Sequence, residues 1–368
     1  MLIARNPVIL FANGIGDGVM NLPALRALAL HFGGRATLVT HEGEEAFFFD
    51  ELPLRGRVGV TFTSEPRGSR HIPVDQLRCK LSDCDMLISL VPWWSPSLGE
   101  LLSEIRPAYS VGFFPAFRTY VPLNYEKHSA DLAFDIVKSL WPEARIDDFV
   151  APPQFPSKAQ AFVAALRGLF PAGSKFLAVH AETCAPKMWP WDRFARVIDR
   201  FLDDREDFAA IVVSDRSPYL RDMRNYAQGR VLPCFGLPLS CACAVVASAD
   251  LFLGIDSCML HVADFARTPG VGIFGPTNSA EFGFRVGPNI TLQARATEDT
   301  SESEVLDAMN AMIKTPAIRV VRAKDSDGVN GLQEASKTGT RGTDLRGWHR
   351  GGSAEEGGKM SSEGIATA

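Results

Sequence analysis

No apolar run in this sequence approaches the roughly 18–20 residues that a helix needs to cross a bilayer. A transmembrane helix is therefore not expected. The first residues, MLIARNPVILFANG, carry a single arginine and no small-residue cleavage site, so they do not read as a signal peptide. Charge of either sign is not in large excess. The net charge of -5 excludes a general attraction to nucleic acid or to anionic membrane. Pairable cysteine is also lacking. The seven cysteines, Cys79, Cys84, Cys184, Cys234, Cys241, Cys243 and Cys258, are odd in number and scattered, which fits reduced thiols in a cytoplasmic protein. Cys234 with the Cys241/Cys243 pair has no fourth ligand at zinc spacing, so no metal site is expected.

What is present is ordinary globular composition, 46% hydrophobic and 22% charged, on a chain of 368 residues. That length suggests two domains. Apolar strands are expected at Pro7–Ala12, Ala36–Thr40, Val58–Phe62, Met86–Leu90 and Tyr109–Phe113. Helices are expected after the glycine turn at Asn13–Gly18 and near Glu44–Glu51, Ser97–Ser103 and Ser129–Leu140. A proline-rich, charged stretch, Trp141–Pro156, reads as a linker. The alternation then restarts with a helix at Lys158–Phe170, a strand at Phe176–Val179, a helix at Trp191–Leu202, a strand at Phe208–Val213 and a late helix at Ser303–Ile313. Strands alternating with helices imply parallel sheets covered on both faces. The expected division is 1–145, a first Rossmann-like domain; 146–157, a linker; 158–322, a second; and 323–368, a disordered tail rich in Gly, Ser and charge, in which Leu345, Trp348 and Ile365 stand isolated.

Three loops at strand ends collect the candidate chemistry. In the first, Asn13-Gly14-Ile15-Gly16-Asp17-Gly18, a dinucleotide fingerprint would need glycine at position 19, where Val19 stands. Glu42 lies where a ribose-binding acid would sit, and this motivates a nicotinamide-dependent oxidoreductase as the alternative enzyme. Asp17 can accept a proton from an incoming hydroxyl or can cap a helix, and the sequence leaves both open. The second loop, His180–Pro190, offers the Thr183 hydroxyl and the Lys187 ammonium, both suited to phosphate or simply solvated. The third lies in ADLFLGIDSCMLHVADFARTPGVGIFGPTN. There Asp256-Ser257 reads as the cap of a helix running to about Arg267, with Cys258 and Met259 at its start and His261 one turn in. Arg118, Lys127 and His128 precede the helix at 129. They read as anion contacts or as solvated charge. The pair Trp93-Trp94 could stack on a sugar or pack a lobe edge.

Taken in order, GIGDGVMNLPALRAL, HAETCAPKMWPWDRFARVID and the ADLFLGIDSC…FGPTN stretch resemble glycosyltransferase family 9, the lipopolysaccharide heptosyltransferase group. The resemblance spans about residues 7 to 315. It implies a GT-B fold, two Rossmann-like domains facing a cleft. It also implies an inverting glycosyltransferase that needs neither metal nor cofactor beyond its nucleotide-sugar donor, often ADP-heptose. The acceptor would be lipopolysaccharide or another glycan, lipid-linked or free. Such a protein would be cytoplasmic, in peripheral contact with the inner membrane face, and would not bind nucleic acid. By that resemblance Asp17 is the catalytic base. Thr183, Lys187, Asp256, Ser257, Cys258, Met259 and His261 hold the donor; the candidate acceptor contacts are Asn13 and, read from the residues alone, Arg118 and Lys127. Two positions depart from the family. Asn13 replaces a small or hydroxylated residue, and Cys258 replaces a glycine, where a side chain would narrow the approach of backbone to diphosphate. The departure at Cys258 motivates a non-enzymatic alternative, a nucleotide-sugar- or glycan-binding protein.

Overall fold

Two parallel sheets organise the computed structural model, which describes residues 4–65, 69–215, 220–314 and 319–323. The first sheet gathers β1 (Pro7–Leu10), β2 (Thr37–His41), β3 (Gly56–Val60), β6 (Met86–Ser89), β7 (Tyr109–Gly112) and β8 (Thr119–Tyr120) in the order β3-β2-β1-β6-β7-β8. A small antiparallel ribbon, β4 (Thr63–Ser64) with β5 (Arg70–His71), stands apart from it. Helices α1 (Ile15–Met20), α2 (Leu22–His31), α3 (Val74–Lys80), α4 (Pro96–Ile105) and α5 (Ser129–Leu140) cover its faces. The second sheet joins β9 (Lys175–His180), β10 (Phe208–Ser214), β11 (Val231–Phe235), β12 (Leu251–Ile255), β13 (Gly270–Phe274), β14 (Asn289–Gln293) and β15 (Arg319–Ala323) in the order β11-β10-β9-β12-β13-β14-β15. Its helices are α6 (Ser157–Arg167), α7 (Trp191–Asp203), α8 (Arg224–Ala227), α9 (Leu239–Ala247), α10 (Cys258–Phe265), α11 (Ser279–Phe282) and α12 (Glu302–Lys314).

Both sheets reverse their strand order at one place, between β1 and β6 in the first and between β9 and β12 in the second. Loops that leave neighbouring strands at such a point diverge and open a crevice beyond the strand ends, where ligands of open α/β sheets bind. The three candidate loops leave β1, β9 and β12, so all lie at switch points.

Continuous apolar strands supply the core, as sheets buried on both faces require. β1, β6, β10, β12 and β13 are buried at every position. The outer helices α3 and α4 close one apolar cluster and α7 and α12 another. The largest cluster joins the two lobes, running from Leu25, Leu28 and Phe134 to Cys243, Leu260 and Phe265. Between the lobes, Arg26 on α2 pairs with Glu51. It also donates to the carbonyls of Phe149 (3.0 Å), Ala151 (2.7 Å) and Pro152 (2.9 Å), so the proline-rich stretch is tied to the first lobe.

Some elements depart from expectation. Residues Glu44–Phe49 form a 3-10 turn rather than an α-helix. Three consecutive aromatics, Phe47, Phe48 and Phe49, are all buried there, which one face of an α-helix cannot achieve. The helix expected to reach Arg267 ends at Phe265, and Arg267 takes a left-handed φ of 58° as its stop. The sequence reading places no element at β11, α9, β14 or β15. Helix α9 is apolar nearly all round and so shows no period, and β11 contains Pro233. Of the expected tail, Ala323 closes β15 and the remainder lies outside the described residues.

Candidate functional site

Asp256 follows β12, and Lys187 ends a 3-10 turn, Ala185–Lys187, in the loop after β9. Because β9 and β12 are neighbours, residues far apart in sequence meet: Lys187 Nζ donates to Asp256 Oδ2 at 2.8 Å. The Asp256 side chain is 5% exposed and that of Lys187 20%. A carboxylate buried this deeply is stable only with a paired cation. Thr183 stands at the beginning of the same turn, half-buried.

Pairing with Lys187 changes the expected cap. Ser257 is the N-cap of α10, with extended φ of -159°, yet no side chain caps the helix. Ser257 Oγ is buried without a hydrogen-bond partner. The Asp256 carboxylate turns to Lys187, so the first turn of α10 keeps an uncapped, partially positive terminus beside a buried acid–base pair. Cys258, Met259 and His261 follow along that turn. The Cys258 side chain turns toward α9. Its thiol shares a hydrogen bond with Cys243 on α9, and burial together with that contact pushes the Cys243 thiol well above its ordinary range. His261 is buried and held neutral, its pKa pushed down to about 4, chiefly by burial. Nearby Asp256 opposes that shift, while His128 and Lys187 add to it. A neutral imidazole can form hydrogen bonds here but brings no charge to a phosphate.

The first lobe meets this turn directly. At Gly16 on α1, a Cβ would lie 3.4 Å from His261 Cδ2 and 3.7 Å from the Cys258 Cα. One residue on, Asp17 closes a helix turn and faces a cavity. Its Oδ2 accepts the Gly14 N–H at 3.1 Å, closing the first turn of α1, and its side chain lines a cavity between the lobes. The first lobe contributes Asn13, Gly14, Asn21, Arg70, Trp93 and Phe113 to that cavity, and the second lobe contributes Glu281 and Phe282. Arg70 is buried, and a Cβ at Gly14 would lie 3.7 Å from Arg70 Nη2 and 3.7 Å from Asp17 Oδ2. Asn13 has a structural use as well. Its Oδ1 accepts the Trp93 Nε1–H at 3.2 Å and its Nδ2 donates to the Leu90 carbonyl at 3.3 Å, both across the β1/β6 switch. Arg118 and Lys127 do not line this cavity. Arg118 is exposed on the loop before β8, and Lys127 pairs with Asp135.

A latch beside the cavity joins the lobes. His128 caps α5, its Nδ1 accepting the Ala130 N–H at 3.2 Å, which leaves Nε2–H to donate to the Gly283 carbonyl at 2.9 Å. Arg285 grips both oxygens of Asp131 at 2.9 Å and reaches Asp147 at 3.0 Å. Asp264 on α10 accepts backbone N–H groups from Arg285, Val286 and Gly287. Helix α10 therefore also holds the latch loop in place.

Sequence reasoning missed Arg70, Glu281 and Phe282. Arg70 sits in a two-residue strand, and the other two in a four-residue helix, with no motif around them. The β4–β5 ribbon brings Arg70 to Asp17 within the first lobe, and the docking of the lobes brings Glu281 and Phe282. Among the described residues no three His, Cys, Asp or Glu side chains are grouped to hold a metal. Nor is any described helix long and apolar enough to cross a membrane.

With this geometry in view, comparisons with known proteins are informative. Residues 137–312 match the model of glycosyltransferase family 9 (heptosyltransferase). No curated protein sequence matches the chain. Among solved structures, a family 9 glycosyl transferase from Veillonella parvula DSM 2008 is 18% identical. The likeness covers 84% of this chain and 97% of that one, with a TM-score of 0.66. The E. coli ADP-heptose lipopolysaccharide heptosyltransferase II is 13% identical over 85% of this chain and 100% of its own, with a TM-score of 0.64. E. coli heptosyltransferase WaaC with ADP is 14% identical over 84% and 99%, with a TM-score of 0.60. At such identities the structures speak to fold, and the sequence match speaks to family. Residues 137–312 thus match glycosyltransferase family 9 in sequence, and the two switch-point sheets give the chain the GT-B fold of the heptosyltransferase structures.

Proposed function

We propose that this protein transfers a heptose-like sugar, with inversion, from a nucleoside-diphosphate donor to a hydroxyl of lipopolysaccharide or another glycan. One observation carries the reading. The turn bearing Asp17 on one lobe packs against the uncapped N-terminus of α10 on the other, so a carboxylate on the cavity wall and a helix terminus suited to an anion lie one residue's packing apart. A diphosphate at α10 would meet the backbone N–H groups at Ser257 to Met259 and the hydroxyls of Ser257 and Thr183. It would also draw on Lys187, whose ammonium already lies beside this terminus. Asp256 orients that ammonium, and His261, neutral, donates or accepts a hydrogen bond. In the cavity, Asp17 takes the proton of the acceptor hydroxyl as that oxygen attacks the anomeric carbon. The bond to the diphosphate breaks on the opposite face through an oxocarbenium-like state, as in inverting glycoside chemistry. Neither metal nor any cofactor besides the donor takes part. The buried Arg70 beside Asp17 suits an acceptor bearing a carboxylate or phosphate.

ADP-heptose is the first donor to try. E. coli heptosyltransferase WaaC is described with ADP and with ADP-2-deoxy-2-fluoro heptose. A lipid-linked acceptor would place the protein at the cytoplasmic face of the inner membrane. The test is transfer from ADP-, UDP- and GDP-sugars by the wild type and Asp17→Asn. The variant should lose about 10²–10⁴-fold in kcat while keeping its donor affinity. Full turnover by Asp17→Asn would overturn the assignment of the base.

A further inference from the structure

The structure separates the two tryptophans that follow β6. Trp93 turns inward, buried, hydrogen-bonded to Asn13 and lining the cavity at Asp17. Trp94 turns outward and is 41% exposed. The neighbouring strand repeats the pattern. After β7, Phe113 is buried and lines the same cavity, and Phe114 lies toward the surface. The two outer rings meet, Trp94 and Phe114 packing edge to face at 5.4 Å between centroids and 61° between planes. Adjacent strands thus each end with one aromatic inside the cavity and the next outside it. An aromatic ledge results, beginning one residue beyond the cavity mouth.

The ledge is seated before any ligand arrives. The benzo ring of Trp94 rests on α4 at Gly99, where a Cβ would lie 3.1 Å from Cζ2 and 3.4 Å from Cη2. Glycine within a helix costs roughly 1 kcal/mol relative to alanine, and here it leaves room for the indole. Phe114 fixes one edge of the ring. A rigid aromatic placed in this way presents area without a large ordering cost on binding. Most large apolar side chains in this lobe are buried, so the exposed Trp94, backed by a partly buried Phe114 that packs on the core, stands out.

We propose that Trp94, edged by Phe114, is a sugar-binding subsite for the acceptor. It stacks on the C–H face of the pyranose ring adjoining the sugar whose hydroxyl reaches Asp17. A pyranose suits such a surface because one face offers apolar C–H groups while its hydroxyls remain at the rim in water. The inference rests on the proposed function and adds where the acceptor extends from the reacting hydroxyl.

Two measurements test it, both using the deacylated oligosaccharide of a rough-type lipopolysaccharide as probe. In steady-state transfer from ADP-heptose, Trp94→Ala should raise the acceptor KM about tenfold with kcat and donor KM unchanged, and Trp94→Phe should recover most of that loss. An unchanged acceptor KM in Trp94→Ala, with the wild type active, overturns the subsite and leaves the proposed function standing. In the second measurement the protein carries 5-fluorotryptophan, with Trp94→Phe identifying the Trp94 fluorine resonance. The oligosaccharide should shift that resonance, including in the Asp17→Asn background, where transfer is lost. A resonance that stays in place overturns the subsite even if the wild type transfers nothing. So does one that moves with vesicles of anionic phospholipid but not with the oligosaccharide, since the ledge would then be a membrane contact.

Discussion

The two lobes share a sheet topology and close their switch points with opposite chemistry. Across β1 and β6 the bond is neutral, Trp93 to Asn13 at 3.2 Å. Across β9 and β12 it is ionic, Lys187 to Asp256 at 2.8 Å. A neutral hydrogen bond fixes shape and leaves the adjoining cavity to be defined by Asp17, Arg70 and its aromatic walls. An ion pair beside a helix N-terminus holds a cation in waiting, which an arriving anion can share. Under the proposed function, the second lobe recognises the donor's charge and the first fixes the shape of the cavity around Asp17 and Arg70.

The largest effect on this contrast should come from Lys187→Met. Removing the cation strands Asp256 in the interior and should cost about 3 kcal/mol of stability, measured by denaturant unfolding. The double variant with Asp256→Asn should regain much of that stability while binding ADP more weakly than wild type by calorimetry. Normal ADP affinity in the double variant would remove the charge-recognition half of the comparison.

Acid should affect the second lobe next. His261 has a folded-state pKa near 4 against an ordinary 6.5, so the folded protein resists taking up a proton that the unfolded chain accepts. Stability is full above about pH 6.5 and falls as pH drops from there toward 4. His128 and His180, also depressed by burial, act in the same direction. Between pH 7 and 5, His261 should account for about 2 kcal/mol of lost stability. Unfolding of His261→Gln at both pH values should show a smaller difference than wild type, and an equal slope would refute the assignment.

On the neutral side, Asn13→Ala leaves the Trp93 indole N–H unpaired in a buried place. It should cost about 1–3 kcal/mol and blur acceptor selection, read as a rise in acceptor KM with donor KM unchanged. The smallest change in stability should follow Ser257→Ala. Its Oγ is buried without a partner, so its removal should alter unfolding by less than about 0.5 kcal/mol. If that hydroxyl meets the diphosphate, ADP affinity alone will fall.

Much of the fold was legible because its signals are local. The Ser129–Leu140 helix and the strands β1, β6, β9 and β10 follow from apolar runs and the breakers around them. The elements that escaped, α9 and β11 among them, lack a period or carry a proline. The candidate loops were legible for the same reason, as polar and glycine-rich residues at the ends of apolar runs. Their partners were not. Asp256 read as a cap and is an ion-pair partner. Cys258 read as an obstacle to the diphosphate, and its thiol faces Cys243. Trp93 and Trp94 could not be told apart from their order alone.

By itself, the sequence determined where polar, glycine-rich loops end the apolar runs and that two alternating α/β units would hold them, because hydrophobic period and turn residues act over a few positions. Tertiary structure alone decided which side chains meet. The strand order of each sheet sets Lys187 against Asp256 and Asn13 against Trp93, and the packing of α1 on α10 sets the Asp17 turn beside the N-terminus of α10. Glu281 and Phe282 join the cavity at Asp17 because two lobes bury one continuous apolar surface between them, and Arg70 because the β4–β5 ribbon folds back within the first lobe; no short-range pattern records which residues such packing brings together.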